Sequence, residues 1–180
     1  DMGLKVGHAS RTISECLRAA REDMTIRTSV LETRFVCGDK LLFRELEIRL
    51  RKDLFDGTAA DFVAAKLAER DNRHRRTGES RYMVEPNIKD GKGGLRDLHT
   101  LFWIAKYIHG TDEVGQFVAK GIFSREDMKH FNQAAEFLWT VRCHLHFLTG
   151  RAEERLTFDL QPEMARRMGY GDRADNPAVE

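Results

Sequence analysis

The segment Glu85-Pro86-Asn87-Ile88-Lys89-Asp90-Gly91-Lys92-Gly93-Gly94-Leu95-Arg96-Asp97 gathers the residue types that chemistry on an anion needs. Three glycines in four positions permit backbone conformations that other residues resist, and they let a ligand or a second backbone come close. The segment runs into an apolar-periodic stretch that reads as a helix, whose first unpaired N–H groups and dipole favour negative charge. Lys89, Lys92 and Arg96 add cations, so the combination suits holding a phosphate. It also suits a structural hairpin loop, with glycines for tight packing and Asp97 supporting the first helical turn. It matches neither the Walker nor the dinucleotide glycine pattern.

Upstream, Arg70, Arg73, His74, Arg75, Arg76 and Arg81 concentrate positive charge. Such a cluster can meet a triphosphate, an acidic partner surface or RNA, and it also suits a solvated helix end. Tyr82 is the nearest aromatic, which argues against single-strand binding. Asp23 opens Asp23-Met24-Thr25-Ile26-Arg27-Thr28, which alternates polar and apolar residues and predicts a short strand. An acid on a strand can complete a Mg²⁺ site with other carboxylates, because Mg²⁺ takes oxygen ligands and keeps waters and substrate phosphates. An ordinary exposed acid at a helix-to-strand turn would look the same. His144 and His146 stand two apart and face different sides of a helix, His8 is isolated, and no His-Asp doublet encodes a metal phosphohydrolase site. No Gly-x-Ser-x-Gly elbow occurs.

The elements around these residues are mostly helical. Leu4–Gly7 predicts a short strand. Thr12-Ile13-Ser14-Glu15 is a capping box opening a helix over 13–22. After the predicted strand, Val30 to Gly38 fits a helix ending at a glycine. Leu42, Leu46 and Leu50 mark another helix, and Phe62, Val63 and Leu67 mark one over 57–73. Residues 74–94 predict a long loop. Helices follow over Leu95–His109 and 125–149, stopped by Gly110 and Gly150. A strand-like run, Leu156–Phe158, precedes a last small helix over 162–168. Short connections imply antiparallel packing in a bundle.

Composition bounds the rest. The 180 residues, 41% hydrophobic and 33% charged, can bury a core. With 30 basic and 29 acidic side chains, the net charge of +1 supplies no global field for nucleic acid or an anionic membrane. Cys16, Cys37 and Cys143 are odd in number and lack CxxC spacing, so they read as small buried hydrophobes in a reducing compartment. No apolar run approaches a membrane span. The sequence begins inside an apolar pattern and ends at Asn176–Glu180 without a closing element, so both ends read as cut.

Four blocks carry a resemblance: Leu4–Arg11; Asp23–Asp39, with Leu31-Glu32-Thr33-Arg34 and Gly38-Asp39; Tyr82–Lys89; and Gly93–Trp103. They resemble successive blocks of bacterial PII uridylyltransferase/uridylyl-removing enzymes. The run Val84-Glu85-Pro86-Asn87-Ile88-Lys89, continued by Gly93-Gly94-Leu95-Arg96-Asp97-Leu98 and Trp103, is the most specific. The likeness extends to Leu156-Thr157-Phe158-Asp159 and Gln161.

The resemblance implies a modular cytoplasmic enzyme. A polymerase-β-type nucleotidyltransferase domain moves UMP from UTP to a tyrosine of the PII signalling protein, an HD domain removes it, and two ACT domains sense glutamine. The expected fold is mainly α. Residues 1–50 would be the C-terminal α/β remnant of the nucleotidyltransferase domain, and residues 51–180 a helical bundle associated with it. Asp23 would be the third carboxylate of the transferase Mg²⁺ site. The partner carboxylates would lie upstream of Asp1 and the HD residues downstream of Glu180, so the isolated chain is expected to be inactive. Asn87, Lys89, Gly93, Gly94, Arg96 and Asp97 would contact nucleotide phosphate or fix the helical region against the catalytic domain. Two rivals stand: a PII-docking or signal-relay module without nucleotide contact, and a relative of the glutamine synthetase adenylyltransferase. The Glu-Pro-Asn-Ile-Lys run favours the PII enzyme over the latter.

Overall fold

The structure is a computed structural model that describes residues 7–77, 84–111 and 114–171. Leu4–Val6 of the first predicted strand, and Arg81 and Tyr82, lie outside the described residues. Helix α1 spans Ile13–Glu22 and α2 spans Met24–Leu31. Helix α3 spans Lys40–Leu50 and passes into a π-helical turn, Arg51–Phe55. Then come α4 (Ala59–Thr77), α5 (Leu95–His109), α6 (Val114–Ala119), α7 (Arg125–Thr149) and α8 (Gln161–Arg167).

The capping box forms as its residues require. Thr12 Oγ1 accepts from the Glu15 amide at 3.2 Å, and Glu15 Oε2 accepts from the Thr12 amide at 2.8 Å. Gly110 and Gly150 end α5 and α7 in the left-handed region, at φ 63° and 65°.

The fold is mainly helical, but no α/β remnant is present among the described residues. The stretch read as a strand is α2. Asp23 Oδ1 accepts from the amides of Thr25 (2.6 Å) and Ile26 (3.0 Å), which starts a helix there. Arg27, Thr28, Val30 and Leu31 are its buried residues, a helical spacing. Two groups that made the pattern look alternating turn inward instead. Arg27 donates to the Ala20 and Arg21 carbonyls that end α1, and Thr28 Oγ1 donates to Met24 O within its own helix. With α2 ending at Leu31, no helix runs from Val30 to Gly38. The run Leu156–Phe158 also forms no strand: one isolated antiparallel bridge pairs Asn87 with Arg155. Helix α4 continues to Thr77, past the predicted start of the loop.

Three buried clusters hold these elements. Leu17 and Ala20 of α1 pack with Val30, Leu50 and Leu54. Leu31, Phe62 and Tyr107 join α2, α4 and α5, with the Phe62 and Tyr107 rings stacked 3.9 Å apart. Ile88 of the glycine segment packs on Val141, Leu145 and Met164 of α7 and α8. No helix among the described residues is long and apolar enough to cross a membrane.

Candidate functional site

The glycine segment folds into a knot of backbone hydrogen bonds at the head of α5. Asn87 Oδ1 accepts from the amides of Lys89 (3.1 Å) and Asp90 (2.7 Å), making a side-chain turn. The chain then doubles back. The amides of Leu95 and Arg96 donate to the carbonyls of Ile88 (3.0 Å) and Lys89 (2.9 Å), and the Gly94 amide donates to Gly91 O (2.9 Å). The first donors of α5 are therefore bonded within the segment. On the opposite side, the Ile88 amide donates to Glu154 O and the Leu156 amide to Pro86 O, at 2.8 and 3.0 Å. One short segment thus joins α4, α5 and the stretch after α7.

Asp97 closes the knot. Its Oδ2 accepts from the Gly93 amide at 2.8 Å, and its Oδ1 from Arg73 Nη2 at 2.5 Å. His74 Nε2 donates to both oxygens, at 3.0 and 2.9 Å. Burial pushes the Asp97 carboxyl up, but the Gly93 amide, the Arg73 guanidinium and His74 together outweigh it and hold it below the usual carboxylate range. Gly93 reaches this geometry at φ 82°, with open space where a Cβ would stand. Gly93→Ala is therefore expected to cost about 1–2 kcal/mol through backbone strain alone, and Gly93→Asn less. Urea unfolding midpoints of the two variants check this.

The cations of the segment take different places. Lys89 Nζ lies 3.8 Å from Glu154, a carboxylate already gripped by Arg142 through Nε (2.9 Å) and Nη2 (2.7 Å). Neither partner was legible as such in the sequence, because Glu154 is twelve residues from Arg142 in an irregular stretch. Arg96 lies 3.8 Å from Asp90 and stacks its guanidinium 5.9 Å from the Trp103 ring. Arg96 also lines an open cleft of about 500 Å³ together with Arg73, Arg76, Thr77, Asp90, Glu69 and Thr25. Part of that charge is closed off, since Asp97 holds Arg73 and Lys66 bonds Glu69 at 2.5 Å. Arg76 and Arg96 supply the remaining positive charge.

Thr25 brings α2 into the same cleft. Its amide is bonded to Asp23, so Asp23 caps the helix that forms one wall. The amides of Ile26 and Thr25 hold the Asp23 carboxyl below the usual range. Both amide bonds fall on Oδ1. No group of three His, Cys, Asp or Glu side chains gathers in metal-binding range among the described residues. These residues do not by themselves hold the Mg²⁺ that the resemblance implies.

The whole chain is 65% identical to a bifunctional uridylyltransferase/uridylyl-removing enzyme from Phenylobacterium zucineum. It is 60% and 61% identical to proteins of the same description from Rhodopseudomonas palustris and a Bradyrhizobium species, again over all 180 residues. In each case it spans 19% of the relative's length. No solved structure matches. A family model described as GlnD PII-uridylyltransferase matches residues 61–180. The chain belongs to the GlnD PII-uridylyltransferase family.

Proposed function

We propose that the chain is the helical section of an enzyme that transfers UMP from UTP to PII and removes it again under glutamine control. Residues 1–50 belong with its nucleotidyltransferase unit and residues 51–180 form the helical unit beside it. The basic cleft takes the phosphate side of the nucleotide, and the glycine knot fixes the position of Arg96 in its wall. The observation that carries this reading is the placement of Arg76 and Arg96 in one cleft with Thr25, whose amide is tied to Asp23. Asn87, Gly93, Gly94 and Asp97 act as a clasp, because their polar groups are spent on the fold. Lys89 is a weaker candidate for phosphate contact, because it does not line the cleft that Arg96 lines. Asp23 can assist a magnesium ion only beside carboxylates from elsewhere in the polypeptide. The separate chain is expected to catalyse neither reaction.

In the full-length enzyme, Arg96→Ala is expected to raise KM for UTP about tenfold, the loss of one charge-assisted contact of about 1.5 kcal/mol. PII binding should be unchanged. Normal use of UTP with weakened PII binding would instead support a docking module.

A further inference from the structure

The basic cleft also holds two acids, Glu69 and Asp90. Asp90 lies 3.8 Å from Arg96. Glu69 is held differently. Its side chain is 50% exposed, and its Oε2 accepts at 2.5 Å from Nζ of Lys66, whose side chain is 3% exposed. Lys66 Nζ also lies 4.7 Å over the Trp103 ring, the ring that Arg96 approaches at 5.9 Å. Glu69 and Arg76 stand seven residues apart on α4, so they share one side of that helix. A site for phosphate alone is weakened by a fixed carboxylate, because like charges repel. Stability does not call for the pair either, since burying Lys66 carries a desolvation cost that an apolar side chain avoids.

We propose that Glu69 accepts hydrogen bonds from the ribose hydroxyls of the bound nucleotide, with Lys66 holding the carboxylate in place. The inference rests on the reading of this cleft as the nucleotide's phosphate site. A carboxylate is acceptor-only, and its two oxygens have room for further donors beside Lys66. A nucleoside triphosphate carries its donors away from the phosphates, on the sugar and the base. The ribose offers two adjacent hydroxyls to one carboxylate, the contact that an acid makes in dinucleotide sites. The seven residues from Glu69 to Arg76 rise about 10 Å along α4. That is comparable with the reach from the ribose to the outer phosphates of an extended triphosphate. The nucleotide therefore lies along α4, with its sugar at Glu69 and its outer phosphates toward Arg76. Arg73, between them, is spent on Asp97.

Transfer to PII by the full-length enzyme is measured with UTP, 2′-deoxyUTP and 3′-deoxyUTP. The parent is expected to favour UTP over at least one deoxynucleotide by about tenfold in kcat/KM, the worth of one hydrogen bond to a charged group. Glu69→Gln keeps the length of the side chain and leaves Lys66 an oxygen, and it should erase that preference. Losing the charge also eases phosphate binding, but equally for all three nucleotides, so the ratio reports on the sugar alone. The double variant Lys66→Met with Glu69→Ala removes the buried cation together with its partner, which spares the fold an unpaired charge, and it should erase the preference as well. A parent that does not distinguish the nucleotides overturns the proposal. So does a preference that survives in either variant, as a plain counter-ion for Lys66 would give. An equal loss with all three nucleotides also overturns it, and would place Glu69 on the uracil N3–H instead. Arg96→Ala tells the two readings apart. A raised KM for every nucleotide, with the preference intact in Glu69→Gln, removes only the sugar contact. No change in KM for any of them removes the cleft itself.

Discussion

Asp97→Ala is expected to lower the unfolding free energy by about 3–5 kcal/mol, the cost of stripping one partner from a buried charge pair. Arg73 is the reason for the size. Its side chain is 9% exposed, and its Nε is buried with no hydrogen-bond partner among the described residues. Without Asp97 its Nη2 loses its acceptor as well, while the Gly93 amide and His74 lose theirs. Asp97→Asn keeps the shape and one acceptor, so it is expected to cost less. In a double-mutant cycle, Arg73→Ala with Asp97→Ala should cost clearly less than the sum of the singles, because the pair leaves no unpaired buried charge. Urea unfolding followed by circular dichroism measures all four proteins, and strict additivity would mean that the two residues do not act as one clasp.

The same carboxyl gives a pH signature. Its folded pKa lies below the usual range, so its contribution is fully present above the unfolded value of about 4. That contribution is lost as pH falls through the folded value. The stability gap between the parent and Asp97→Ala is therefore expected to narrow as pH falls below about 5.

Where a side chain's partner is local, the sequence announced the element. The box Thr12–Glu15 and the boundary glycines Gly110 and Gly150 depend on neighbours within a turn or two. Asp23–Thr28 misled because its alternation has two causes that pattern alone cannot separate. Arg27 looks like a solvent-facing strand residue, yet it caps the carbonyls of the preceding helix six and seven residues back. The cysteines misled in a similar way. Cys37 falls in an irregular stretch after α2 and Cys143 lies on α7, and both are exposed rather than buried. The glycine segment was recognisable as special, but its two readings differ only in where the N–H groups point. Those amides find carbonyls within the segment, and the positive charge lies to one side, on Arg76 and Arg96. That separation of clasp from cleft depends on α4 and α2 meeting at the loop, a long-range fact with no local signal.

Gly94→Ala tests the clasp from inside and is expected to cost about 3 kcal/mol, the upper part of the range for overpacking. A Cβ there would stand 2.7 Å from Ile88 O, 2.9 Å from Lys89 O and 3.0 Å from Gly91 O. None of these is the loose end of a side chain. They accept the amides of Leu95, Arg96 and Gly94 itself, so a methyl group can enter only by pushing away the acceptors that start α5. Gly94 has an ordinary φ of −78°, which makes the cost purely steric. Asparagine should therefore be worse than alanine at 94, the reverse of the order expected at Gly93. Hydrogen exchange at the Leu95 and Arg96 amides should accelerate in Gly94→Ala while the middle of α7 stays protected. Because the displaced turn carries Arg96, the same variant in the full-length enzyme should also raise KM for UTP. A destabilised variant with an unchanged KM would separate the clasp from the cleft and leave the glycines a purely structural duty.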